Sequence, residues 1–316
     1  MYTNKLRNYI CFNKKRTILK RTKPAYKRQR LMLALLESFG GKLSKTDFQK
    51  LLFLYTTSYS KEKQYNFIPY FYGCYSFQAH SDLGTMEKYG FISIEDSLYT
   101  KAKNYLGSFI NFIENDEQIR LKAFTTRFQE MKGKDLIGYV YNKFPYFTIH
   151  SQIAKDYLDS KIIEENRPKI NESQFFTIGY EGKSVEEYIN ELIKNNISIL
   201  IDVRKNAMSM KFGFTKNFLN RTLKNIGIKY IHMPEFGIES ENRQSLNNQE
   251  DYNLLFEKYK KTTLSNAEIP LNKLFALFKQ HKRLAITCYE KDIKMCHRGC
   301  IAKEIEQQYN IVTKNI

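Results

Sequence analysis

Between Arg283 and Ile301 the chain reads R-L-A-I-T-C-Y-E-K-D-I-K-M-C-H-R-G-C-I, and three of its five cysteines fall in that stretch. Cys288, Glu290, Cys296, His297, Arg298 and Cys300 can between them move a proton, hold an anion or attack as a thiolate. Other groups of the same kind close short apolar runs upstream. Tyr180 follows Phe175–Ile178, Asp202 and Arg204 end Ile197–Val203, and His232 ends Lys229–Ile231. Arg204, Arg298 and a helix amino terminus suit a phosphate. Asp202 and Glu290 suit general-base or electrostatic work, His297 or His232 proton carriage, and Tyr180 stacking on a base. This inventory predicts hydrolysis at a nucleotide, by base excision or by cleavage of a phosphoester. The expected catalytic groups are Asp202, Glu290, His297 and Cys288. The expected substrate-binding groups are Tyr180, Arg204, His232, Cys296 and Arg298.

Each residue alone has a plainer explanation. Asp202 and Arg204 can be a local ion pair, His232 a satisfied strand-end histidine, and Cys288 a small buried hydrophobe. Their common position after apolar runs changes the balance, because open parallel sheets bind ligands at the carboxyl ends of their strands. Two other chemistries compete. A thiol beside His297 and Arg298 would be acidified, as in a sulfurtransferase, but no compact glycine-containing loop follows Cys288. Cys288, Cys296, His297 and Cys300 could in principle surround zinc. However, no Cys-x-x-Cys knuckle is present, and adjacent Cys296 and His297 rarely face one centre. The expectation is therefore no metal and no cofactor.

Strands alternating with helices must carry these residues. Phe175–Ile178 reads as a buried strand, Ser184 as the N-cap of a helix with an apolar face at Val185, Tyr188, Ile189, Leu192 and Ile193, and Ile197–Val203 as the next strand. Lys229–His232 and Leu284–Thr287 are further strands, with helices at Phe218–Asn225, Tyr252–Lys260, Leu271–Gln280 and Ala302–Tyr309. The alternation indicates a mostly parallel sheet. The loop Met233–Asn248 is long enough for a lid. Upstream, Leu31–Phe39, Lys45–Tyr59 and Ser76–Lys88 read as helices, followed by a strand at Gly90–Ile94. Helical patterns return over Asp116–Met131 and Asp135–Tyr146. Short helices followed by a strand and turn predict a winged-helix-like, mainly helical domain, a DNA-docking shape. The expected limits are a basic tail at 1–28, this domain at 29–160, a charged linker at 161–172 and an α/β domain at 173–316.

Composition sets the class. The net charge is +18, and eleven Lys or Arg with no acid lie in the first 30 of 316 residues. Such a block gains most from a polyanion through counterion release, so nucleic acid is the expected partner, with DNA favoured. No apolar run is long enough for a membrane span, and the amino terminus lacks a signal-peptide core. An odd number of scattered cysteines suits a reducing compartment, and the expected location is the cytoplasm. A homodimer is a candidate assembly.

Thr177-Ile178-Gly179-Tyr180, Leu200-Ile201-Asp202-Val203-Arg204, Gly227-Ile228-Lys229-Tyr230-Ile231-His232, Cys288-Tyr289-Glu290 and Cys296-His297-Arg298 occur in one order in one half of the chain. In this it resembles the bacterial and archaeal family called domain of unknown function 488. The resemblance implies a three-layer α/β domain with a shared polar pocket, and it supplies no reaction. The family positions fall on Tyr180, Asp202, Arg204, His232, Cys288, Glu290, Cys296, His297 and Arg298. Two loops depart from the pattern. Lys205-Asn206-Ala207-Met208-Ser209 stands where the family has a proline and small residues, and Ile238 replaces the second of two glycines after Phe236. The stretch Lys42–Tyr55, with Tyr70–His80 and Gly90-Phe91, is similar to antitoxin-associated domains of the Panacea type. The reading as a whole is a nucleic-acid-binding protein of repair or antiviral defence whose second domain hydrolyses its ligand. A sulfurtransferase-like enzyme and a nucleotide-sensing DNA-binding regulator are the alternatives.

Overall fold

The computed structural model describes residues 22–239 and 248–316. Most of the expected basic tail and the centre of the Met233–Asn248 loop lie outside the described residues.

The first half begins with helix α1 (Lys27–Ser38), strand β1 (Lys42–Ser44) and helix α2 (Lys45–Ser58). A hairpin of β2 (Ile68–Tyr70) and β3 (Gly73–Tyr75) leads to α3 (Phe77–Lys88) and a second hairpin, β4 (Ile92–Glu95) and β5 (Leu98–Lys101). Strands β1, β5 and β4 form an antiparallel sheet in that order. Helices α4 (Asn115–Phe128), α5 (Gly133–Lys143) and α6 (Ser160–Glu165) follow. The start of α2 is fixed by Ser44, whose Oγ accepts from Asp47 N at 3.0 Å. The core is aromatic: Phe48, Tyr55, Tyr99, Phe124 and Phe128 are all buried.

The second half comprises β6 (Gln174–Gly179), α7 (Val185–Lys194), β7 (Ile199–Asp202), α8 (Lys216–Lys224), β8 (Lys229–His232), α9 (Gln249–Tyr259), α10 (Glu268–His281), β9 (Arg283–Cys288), α11 (Arg298–Tyr309) and β10 (Thr313–Asn315). The sheet is wholly parallel, in the order β10-β6-β9-β7-β8. Both faces are covered, which is why its strands are almost continuously apolar. Leu192, Leu219 and Leu223 of α7 and α8 pack with Ile178, Leu200 and Ala285 on one face. Leu274, Phe278 and Ile301 of α10 and α11 pack with Ile201, Leu284 and Ile286 on the other. This is the three-layer α/β arrangement. Edge strand β10 had no counterpart in the sequence reading, since Thr-Lys-Asn has no apolar pattern.

The expected linker is partly structured. Its first residues form α6, and Ile163 is buried in the core of the first half. The two halves also share an apolar cluster, in which Ile68 and Ile149 join strands β6, β7 and β9. Polar bonds line the same junction. Asn190 Nδ2 donates to Phe67 O at 2.8 Å, and Tyr146 OH donates to Asn190 Oδ1 at 2.9 Å.

Glu186 of α7 reaches across and caps the neighbouring helix α3. Its Oε1 accepts from Gln78 N at 2.8 Å and Ser76 Oγ at 3.2 Å, while Oε2 has no partner. Burial raises its pKa, against the opposing hydrogen bonds. A raised folded pKa means that the native state holds the proton more tightly than the unfolded chain. The stabilisation is therefore complete below the ordinary glutamate pKa and is lost as pH rises through the folded one. Glu186→Gln imitates the protonated form. Its melting temperature should match the wild type near pH 4, at about the ordinary glutamate pKa, and exceed it at pH 8 or so. A gap that does not change with pH would contradict this reading.

Candidate functional site

The parallel sheet brings Tyr180, Asp202, His232 and Cys288 to one edge, as their positions after apolar runs predict. In register, Asp202 lies beside His232 and Thr287, and Gly179 lies beside Cys288. Side chains alternate along a strand, so neighbours Thr287 and Cys288 face opposite ways. The rim consequently holds two clusters, one on each face of the sheet. A single polar pocket joining Asp202, Cys288 and Arg298 is not what the chain builds.

On the α7–α8 face the centre is a buried ion pair. Asp202 is fully buried and Arg204 nearly so. Arg204 Nε donates to Asp202 Oδ1 at 2.8 Å while Nη2 donates to Oδ2, a bidentate fork. The remaining guanidinium donor, Nη1, serves Tyr180 OH at 2.8 Å and Phe214 O at 3.0 Å. Tyr230 OH donates to Asp202 Oδ2 at 2.6 Å. Tyr180 stacks on Phe214, 4.3 Å between ring centres, and Tyr188 OH donates to Thr287 Oγ1 at 2.8 Å. Burial works against the Arg204 charge, but the Asp202 carboxylate outweighs it and the pKa rises. The Tyr230 hydroxyl is likewise raised, by burial and by Asp202. His232 Nε2 donates to Arg204 O at 2.8 Å and leaves Nδ1 towards Lys216 Nζ at 3.4 Å.

On the α9–α11 face, Cys288, Cys296 and His297 are all buried, and their ligand atoms lie within 4.8 Å of one another. Cys288 Sγ is 3.7 Å from His297 Nδ1 and 3.3 Å from Glu290 Oε2. His297 Nε2 is 3.1 Å from Val203 O, a carbonyl that only accepts, so Nε2 carries the proton and Nδ1 faces the thiol. Burial pushes the Cys296 thiol well above its usual pKa, with Cys288 adding to the rise. Cys300 lies outside this trio. Although adjacent in sequence, Cys296 and His297 face one centre, because Cys296 is extended and His297 already helical in its backbone, and this change of direction turns both side chains inward.

Arg298 does not pair with Arg204 around an anion. It is fully buried, and its Nη donors go to the carbonyls of Glu290 and Lys291 and to Asn315 Oδ1, while Nε has no partner. It thus ties the loop after β9 to the sheet. Gly179 permits this, since a Cβ there would stand 1.9 Å from Glu290 O. Gly237 plays the same part against Lys205, where a Cβ would lie 2.1 Å from Lys205 N. Tyr188, Phe214 and Tyr230 were not among the expected site residues. Tyr230 was accessible from period two, because it shares a strand face with His232, beside Asp202.

Residues 184–305 match the family model described as Domain of unknown function DUF488. The C-terminal half carries a DUF488 domain. The match covers every expected site residue except Tyr180 and does not reach the first half. No curated protein and no solved structure matches the chain. Among the described residues, no helix is long and apolar enough to cross a membrane.

The ion pair makes a quantitative expectation. Arg204→Leu leaves Asp202 buried without its counter-charge and should cost about 3–5 kcal/mol in urea unfolding. Arg204→Lys should fall between, since an ammonium cannot form the fork. A loss below about 1 kcal/mol, the worth of an exposed pair, would contradict the assignment.

Proposed function

We propose that the chain is a nucleic-acid-binding protein whose DUF488 domain engages the strand along the carboxyl edge of its sheet. The observation that carries the reading is a rim on which exposed cations alternate with exposed apolar side chains. Lys205, Lys216 and Lys291 are exposed there, and Met208, Met210, Phe212 and Tyr289 stand among them. Lysines along such an edge neutralise phosphates, and flat or pliable apolar groups take unstacked bases. The rim loops hold each other in place. Lys211 Nζ donates to Tyr180 O at 2.8 Å, and Lys291 N donates to Glu181 Oε2 at 2.9 Å. The chain's charge of +18 acts in the same direction. The first half supplies a second contact, in which the three-stranded sheet with α2 and α3 serves as a winged-helix-like module.

The hydrolytic step narrows to one acid. Asp202 has its oxygens bound by Arg204 and Tyr230, which makes it a positioning group rather than a base. Glu290 is half-buried at the rim and is the carboxylate suited to accept a proton from an attacking water. Repair or antiviral defence is the setting that such an activity would serve. The cysteine-transfer alternative is disfavoured because Cys288 is fully buried.

Binding of labelled oligonucleotides by fluorescence anisotropy, across a salt series, tests this. Replacing Lys205, Lys216 and Lys291 together by Ala should weaken binding to every sequence. It should also flatten the slope of log K against log salt by about 2–3 for a duplex. Glu290→Gln should retain binding and lose any strand cleavage or base release. An unchanged slope in the triple variant would remove the rim from the account.

A further inference from the structure

The cluster on the α9–α11 face has a use that nucleic-acid binding leaves unexplained. Two thiols and an imidazole converge in the interior, with Cys288, Cys296 and His297 each no more than 2% exposed. We propose that Cys288 Sγ, Cys296 Sγ and His297 Nδ1 are the protein ligands of a zinc ion.

Four observations support the assignment. The donor set is two sulfurs and one imidazole nitrogen, the softness that selects zinc over magnesium or calcium. The spacing is right as well. Ligands about 2.3 and 2.05 Å from zinc at a tetrahedral angle lie roughly 3.6 Å apart. The separation of Cys288 Sγ from His297 Nδ1 is 3.7 Å, and all three donor atoms fit within 4.8 Å. Next, the histidine is oriented for the task. Its Nε2–H is held by Val203 O at 3.1 Å, the outer hydrogen bond that fixes a metal-binding tautomer and leaves Nδ1 to coordinate. Finally, the ion has an entrance. Cys296 and Cys300 line an open cleft of about 680 Å³, together with Phe256, Lys260, Ile293 and Gly299.

Three protein ligands leave a fourth place for water. Glu290 Oε2 is 3.3 Å from Cys288 Sγ. Binding releases the two thiol protons and fastens the loop between β9 and α11 to the sheet at a second point beside Arg298. Cys288, at the strand end, and the adjacent pair Cys296 and His297, at the helix start, would then be clamped to one centre. The zinc proposal does not depend on the nucleic-acid reading.

The test uses the full chain, reduced and isolated without chelator. Elemental analysis after exposure to zinc and desalting should give about one zinc per chain, as a single site requires. Cobalt added to the metal-free protein should produce sulfur-to-cobalt charge-transfer and visible ligand-field bands. Cys288→Ser, Cys296→Ser and His297→Gln should each lose the metal, and Cys300→Ser should keep it. Circular dichroism separates loss of the site from loss of the fold, and for any variant that fails to fold the wild-type cobalt spectrum carries the decision. A folded, reduced wild type that retains no zinc and shows no thiolate–cobalt band would overturn the proposal. Metal held equally by all four variants, or lost from Cys300→Ser as fully as from Cys296→Ser, would overturn the ligand assignment.

Discussion

The alternation of side chains across β7 and β9 governs what this domain can do. Asp202 and Thr287 lie side by side in register and turn to the α7–α8 face, whereas Cys288, one residue on, turns to the other. A one-residue slip of β9 would exchange these faces, placing Cys288 against Tyr188 and Thr287 in the apolar layer of α10 and α11. Register is held by the apolar sets on both faces, Leu284 and Ile286 on one and Ala285 on the other. The Asp202–Arg204 fork adds specificity to this arrangement. A buried pair contributes little net stability, but it penalises any packing that leaves one partner alone.

Function follows from that division of labour. The α7–α8 cluster has its donors and acceptors matched among Asp202, Arg204, Tyr180 and Tyr230, so it shapes the rim and holds the loop that presents Met208 and Met210. The α9–α11 cluster has thiols and an imidazole facing one another, an arrangement with chemical capacity still in hand. Val203 joins the two, because its carbonyl receives His297 Nε2 while its backbone N–H donates to Thr287 O at 3.2 Å. The junction between the halves, built on Glu186, Asn190 and Tyr146, places the first half against the α7 side of the same sheet.

Much of this was legible in the sequence. The apolar runs located β6 to β9, Ser184 marked the start of α7, and the polar groups after each run marked the rim. What could not be read was on which face each group would land. That depends on where a strand ends relative to its neighbours, and the decisive step from Thr287 to Cys288 is a single residue. The ion-pair alternative for Asp202 and Arg204, which the sequence offered as the plainer one, is the geometry present. A guanidinium in a polar motif suggests an anion, whereas the Nη groups of Arg298 serve two main-chain carbonyls and Asn315 Oδ1. Strand β10 was invisible because its pairing is main-chain and its side chains carry no pattern.

The central claim is that the two faces of the rim are separate constellations. A double-mutant cycle on unfolding free energy measures this directly, with Tyr230→Phe perturbing the Asp202 cluster and Cys288→Ser perturbing the thiol–imidazole cluster. Independent clusters predict that the two effects add to within about 0.5 kcal/mol, and a coupling above roughly 1 kcal/mol would show one shared site instead.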